Sequence, residues 1–225
     1  MIMKKYTIVL MIFLGGVMNA FAQTPQPTAG QDNYTQVITQ RSNKIVTALN
    51  ISDSVKFKRV RDIIVDQYRN LNNIYNDRNA KSKQIKEQAG DDKVAVNTQI
   101  AAIDSNVSKQ LKALHVIYLT KLSKELDNNQ IDKVKDGMTY NVYPITYAAY
   151  QDELPNLTEA QKAKINGWLL EARENAIDAE SSEKKHAWFG KFKGRINNYL
   201  SAQGYDMKKA GEEWQKRIKE RNVKK

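Results

Sequence analysis

Between residues 52 and 125 the apolar side chains recur every three to four positions, and one short break interrupts them. Val60, Ile63, Ile64, Tyr68, Leu71 and Tyr75 make one stripe, and Val96, Ile100, Ile103, Val107, Leu111, Leu114, Tyr118 and Leu122 make the next. That spacing is the helical period, and no segment of the chain alternates in the manner of a strand. The break at "AGDD" (residues 89–92) is too short for anything but a reversal. The sequence therefore predicts a long antiparallel helical hairpin, one helix from Ser52 to about Gln88 and the other over 92–125, preceded by a shorter helix over 33–49.

Behind this hairpin the helical pattern continues in shorter pieces. A helix starts at Asp127, and "TYNVYPITYAAY" pauses and re-enters a helix with Pro144 at its first position. Leu157–Ala179 and Ser182–Gln203 read as a second hairpin that ends at Gly204, and a final helix over 206–222 is capped by Asp206. The motifs "LDNNQ" and "LTEAQ" carry capping boxes, in which Asp127 or Thr158 caps and Gln130 or Gln161 reaches back. "ISDSV" lacks the glutamine. The expected fold is all-α: a long antiparallel hairpin (33–138) packed with a C-terminal half (139–225) made of a shorter hairpin and a final basic helix.

The N-terminus belongs to none of this. Lys4 and Lys5, an apolar run from Tyr6 to Met18 and Ala20-Phe21-Ala22 form the three parts of a secretory signal over 1–22. The run is too short to span a bilayer. Residues 23–32, opening "QTPQPTAGQ", read as a flexible linker. The expectation is an exported protein, periplasmic or extracellular, with no transmembrane span once the signal is removed. With no cysteine and only two histidines, thiolate zinc sites, thiol catalysis and multi-histidine metal sites are excluded. The sequence implies no cofactor and no metal.

Of the formal charge of +11, most sits at one end: residues 182–225 hold 13 Lys/Arg against 5 Asp/Glu, a net of +8. A basic tail suggests nucleic acid, but export argues against that partner. An acidic glycan, an anionic surface or an acidic protein suits an exported chain better, and a solvated helix face remains the simplest reading.

Two resemblances bear on this. The helix-start motifs and their spacing over about residues 45–138 resemble the LTxxQ-type periplasmic proteins, the group of Spy-like chaperones. That resemblance implies a dimeric helical cradle with a basic concave face for unfolding clients. The runs "VKDGMTYNVYPITYAAY", "GWLLEAREN", "KKHAWFGKFKGRINNYLSAQGYD" and "EEW" look like domain-of-unknown-function family 3826, exported proteins of Bacteroides-type bacteria often encoded near polysaccharide-utilisation genes. That implies a helical exported protein with a carbohydrate connection, and no catalytic residues.

Candidate sites cluster in the C-terminal half. Gly190 and Gly194 interrupt a helix at about 1 kcal/mol each; with Ala172, Ala176 and Ala179 on the preceding helix they are expected to form a close backbone contact. Trp188, Phe192, Arg195 and Tyr199 share one face, and with His186 and Asn198 could form an aromatic and polar sugar platform, or bury apolar area instead. Tyr140, Tyr143, Tyr147 and Tyr150 form a stripe around Pro144, either core or the wall of a cleft. Glu171, Glu174 and Asp178 could face Arg195 or His186; paired carboxylates can do glycosidic acid work, and can equally be a solvated face. His115, in the apolar stripe, reads as structural. The leading function is non-enzymatic carbohydrate binding; the alternatives are a Spy-like chaperone or protein-interaction scaffold and, third, a glycan-active enzyme.

Overall fold

The computed structural model describes residues 29–88 and 92–223. The signal sequence, most of the linker and the reversal at 89–91 lie outside the described residues. Eight α-helices account for the rest: α1 (Ala29–Thr47), α2 (Ser54–Gln88), α3 (Lys93–Ser123), α4 (Asn128–Met138), α5 (Val142–Glu153), α6 (Glu159–Ile177), α7 (Ser182–Ala202) and α8 (Met207–Val223). The fold is all-α, as the periodicity requires. α1 begins four residues ahead of the expected 33, inside the predicted linker. Once a helix is nucleated, an extra turn costs little, and Tyr34 near its start donates to the Tyr68 carbonyl on α2 (3.1 Å).

The helix starts follow their caps. Asp127–Gln130 and Thr158–Gln161 form reciprocal capping boxes at α4 and α6, and Asp53 Oδ1 accepts from the amides of Val55 and Lys56 at α2 without a glutamine. The expected position of Pro144 requires correction. α4 closes in a Schellman turn, Asn141 N–H to Asp136 O (2.8 Å) and Tyr140 N–H to Gly137 O (3.4 Å), with Tyr140 and Asn141 both left-handed (φ 59° and 55°). α5 therefore starts at Val142, and Pro144 is its third residue, where a missing N–H still costs no helical bond.

α2 and α3 run about 52 Å and 46 Å at 1.5 Å per residue. α1 packs on α2, and α4 bridges α1, α3 and α6. There Ile45, Val46, Leu49, Val60, Ile64, Tyr118, Leu122, Val134, Met138 and Ile177 form one buried cluster. Among the described residues no third helix covers the outer part of the arm, and Val96, Ile100, Ile103, Val107, Leu111 and Leu114 stay half-buried. A second cluster joins Tyr150, Leu154 and Leu157 to the α6–α7 hairpin through Ile165, Leu169, Phe189, Phe192, Ile196 and Leu200. α8 is pinned to α5 by Asp152, which accepts from Trp214 Nε1 (2.7 Å) and from both Arg221 terminal nitrogens (3.1 and 2.6 Å).

The expected close contact at Gly190 and Gly194 is absent. Both glycines face solvent, and a Cβ added to either would meet nothing within 4 Å. Ala172 and Ala176 instead share one buried cluster with Phe189 and Phe192, and large side chains beside small ones fill a helix interface without glycine. Phe192, read as sharing a face with Trp188, Arg195 and Tyr199, is buried. The glycine that does have a packing reason is Gly137, whose added Cβ would sit 2.8 Å from Ile45 Cγ1.

Candidate functional site

A groove of about 760 Å³ separates the long arm from the α6–α7 hairpin. Tyr75 and Arg78 of α2, Leu111, Lys112 and His115 of α3, Glu174 and Asn175 of α6, Asp178 and Glu180 of the turn, and Lys184 and Trp188 of α7 all reach it. At its centre Asp178, the C-cap of α6, collects groups from two other helices. Its Oδ2 lies 2.6 Å from His115 Nδ1, its Oδ1 accepts from Gln67 Nε2 (3.1 Å), and its backbone carbonyl accepts from the Tyr75 hydroxyl (2.8 Å).

His115 Nε2 turns to Glu174, 3.5 Å from Oε2. Glu174 in turn takes both of its strongest bonds from Lys135 Nζ (2.8 and 2.9 Å). One residue back, the buried Arg173 bonds Asp132 (2.6 Å) and Asp136 (2.7 Å) of α4, with its guanidinium over the Tyr143 ring. The charges reinforce one another. Hydrogen bonds to Asp178 and then Glu174 hold His115 protonated, its pKa pushed up to about 9 against the burial that opposes it. Burial pushes Glu174 up, but its bonds with His115 and Lys135 and the charges of Lys135 and Arg173 win, and its pKa falls to about 2. Burial, and then the Asp178 charge, raises the Tyr75 phenol to about 12. At neutral pH the groove thus presents the His115 imidazolium, the Glu174 carboxylate and the intact Tyr75 phenol. These hold and orient polar groups, and Glu174 is not the carboxylic acid near neutrality that glycosidic acid work requires.

The ten site residues proposed from sequence divide among five places. Glu174, Asp178 and Trp188 line the groove together. Glu174 and Asp178 face His115 on the arm, not His186 across the hairpin, because α6 turns that side toward α3; of the three acids only Glu171 approaches Arg195, at 3.8 Å. His186 instead stacks on Tyr140 (centroids 5.4 Å, planes 14° apart). Arg195 and Tyr199 meet Trp168, Arg195 Cζ 4.7 Å over its ring and Tyr199 edge-on at 5.3 Å. Asn198 is exposed on α7.

The tyrosine stripe does not form one wall. Tyr140 lies outside α5, Tyr143 and Tyr147 stack on each other (6.3 Å), and Tyr150 is buried with its hydroxyl on Asn197 Oδ1 (2.7 Å). Sequence reasoning missed His115, Tyr75 and Lys112. A polar side chain in the buried stripe of a long helix requires a hydrogen-bonding partner opposite it, and that requirement was the available signal for His115.

Among the described residues no cluster of three or more His, Asp or Glu is placed to hold a metal ion, and no helix is long and apolar enough to cross a membrane. The fold and groove define an all-helical protein whose long arm and shorter hairpin face each other across an ion-paired cleft. A family model described as "Protein of unknown function (DUF3826)" matches residues 35–220, and the chain belongs to that family. No curated protein matches it.

Proposed function

We propose that the groove between α3 and the α6–α7 hairpin is the carbohydrate-binding site of an exported protein that serves polysaccharide utilisation. The observation that carries this reading is the half-exposed indole of Trp188 at a groove whose lining also offers His115, Asn175, Glu174 and Asp178. Sugar C–H faces pack on an aromatic ring, while planar polar side chains read hydroxyls. The bound groups are pre-oriented by the Asp178-centred bonds, which reduces the ordering cost of association. A role in catalysis is less well supported, because Glu174 is held ionised by His115 and Lys135 and Asp178 is bonded to His115.

The test is a thermal-shift screen against neutral and acidic oligosaccharides, repeated with Trp188→Ala. A ligand at one hundred times its dissociation constant adds about 2.7 kcal/mol, a rise of about 5–10 °C for a domain of this size. Trp188→Ala should abolish the rise while leaving the ligand-free fold intact. A full shift in the variant, or silence across the panel, refutes the reading. A chaperone or protein-interaction scaffold is the second reading, favoured by the aliphatic side chains that α3 leaves exposed at Val94, Val116 and Ile117. Suppression of client aggregation that weakens at high salt and survives Trp188→Ala would favour it.

A further inference from the structure

The surface that holds Trp188 continues beyond the groove. On α6, Trp168, Glu171, Asn175 and Asp178 fall at i, i+3, i+7 and i+10, and on α7 Tyr199, Arg195, Trp188 and Lys184 follow one another in the opposite chain direction. The cross-hairpin contacts show that these rows lie side by side: Tyr199 on Trp168, Arg195 on Trp168 and on Glu171, then Asn175, Trp188, Lys184 and Asp178 at the groove. From Trp168 to Asp178 the track is about 15 Å long at 1.5 Å per residue, well beyond the width of one pyranose ring.

Its unpaired charge is mostly positive. Of the four carboxylates lining the groove, Asp104 is paired with Arg78, Glu174 with Lys135 and Asp178 with His115, and Glu180 accepts from the neutral Asn79 amide. Lys112 and Lys184, which enter from opposite sides, have no ion-pair partner among the described residues. Lys191 Nζ sits 5.1 Å over Trp188, and Lys164 Nζ lies 4.8 Å over Tyr199 and 5.3 Å over Trp168. Exposed cation–π contacts of this kind are weak and yield to a carboxylate or sulfate, freeing the ring face as the cation moves to the anion.

We infer that the track binds an anionic oligosaccharide, one end in the groove at Trp188 and the other on a second platform of Trp168, Tyr199, Lys164 and Arg195. This rests on the carbohydrate reading above. Lys112 and Lys184 take acidic substituents in the groove, and Arg195 and Lys164 take them at the distal end. The second platform makes affinity grow with chain length, because both ends then bind as one linked event.

Calorimetric titration tests it, with oligogalacturonates of three and six residues, the fully methyl-esterified hexamer, a chondroitin sulfate hexasaccharide and neutral xylan and cellulose hexamers. At least one anionic hexamer should bind ten-fold or more tighter than the ester and the neutral hexamers, and the galacturonate trimer should bind at least ten-fold more weakly than its hexamer. Lys164→Ala/Arg195→Ala should reduce the hexamer to the trimer's affinity and leave the trimer unchanged. Lys216→Ala/Lys219→Ala, an equal loss of charge on α8, should change neither.

Equal binding of acid, ester and neutral hexamers overturns the anionic inference and leaves the carbohydrate reading standing. Equal loss in the α8 variant, or no gain with length, overturns the track. No binding of any oligosaccharide removes the carbohydrate reading itself, and this inference with it.

Discussion

His115 makes the structure testable through pH alone. Its imidazolium is held between Asp178 and Glu174, with a folded pKa of about 9 against an ordinary 6.5. The folded protein therefore keeps a proton that the unfolded chain loses, so stability falls as pH rises from 6.5 towards 9. The full span corresponds to about 3 kcal/mol at 1.36 kcal/mol per unit. Lys185 works in the other direction above pH 8. Its ammonium is buried against the Ala176 and Ile177 carbonyls at the end of α6 (3.0 and 2.6 Å), and burial lowers its pKa to about 8. There the unfolded chain holds the extra proton, and stability is regained as pH rises from 8 towards 10.5. Between pH 6.5 and 8 the histidine acts without that opposition and should remove about 2 kcal/mol, or about 4–8 °C of melting temperature. Melts at pH 6, 7 and 8 on the wild type and on His115→Gln measure this, and the variant should lose the slope. With only two histidines in the chain, His186→Gln leaves a single imidazole signal whose NMR titration gives the pKa directly. A midpoint near 6.5, or an identical slope in His115→Gln, would refute the ion-paired arrangement.

Three further perturbations separate packing from function. Gly190→Ala and Gly194→Ala place a methyl group in open space on an exposed helix and should each stabilise by about 1 kcal/mol in urea melts; a loss instead would mean that another backbone packs there. Gly137→Ala drives a Cβ into Ile45 and should cost about 1–3 kcal/mol, visible as a lower urea midpoint, whereas no change would show that α1 and α4 yield freely. Arg173→Met leaves Asp136, which is largely buried, without its cation and should cost about 3 kcal/mol; a neutral result would mean that water reaches Asp136 readily.

How much of this was legible in the sequence depends on whether the information is local. Helix order and the two capping boxes were, since the 3.6-residue period and a cap with its N3 glutamine are both written within a few residues. Tyr140 was not, because a left-handed C′ residue is normally read from glycine or asparagine, and here a tyrosine occupies it under the constraint of the α4–α5 turn. The glycines misled for a related reason. Periodicity says which residues share a face but not which of two adjacent faces a partner covers, and on α7 a rotation of about 100° per residue separates Phe189, in the core, from Gly190, in solvent. Gly137, with no small-residue partner stripe to announce it, turned out to be the crowded one.

The site was half legible for a structural reason. Although Ile177 carries α6 into the first core cluster, α2 and α3 do not pack directly along α6 or α7; long side chains span the gap. Gln67, Tyr75, Asn79 and His115 from the arm meet Asp178 and Glu180 at the end of α6, pairings more than sixty residues apart that no local pattern encodes. Glu174, Asp178 and Trp188 could be found because they share one hairpin. A gap too wide for helix-to-helix contact is filled by polar side chains long enough to cross it, and whatever those side chains leave uncovered is a groove lined with oriented hydrogen-bonding groups. The same distance that leaves the arm without apolar packing against the C-terminal hairpin therefore creates the groove, with Asp178 bridging arm and hairpin.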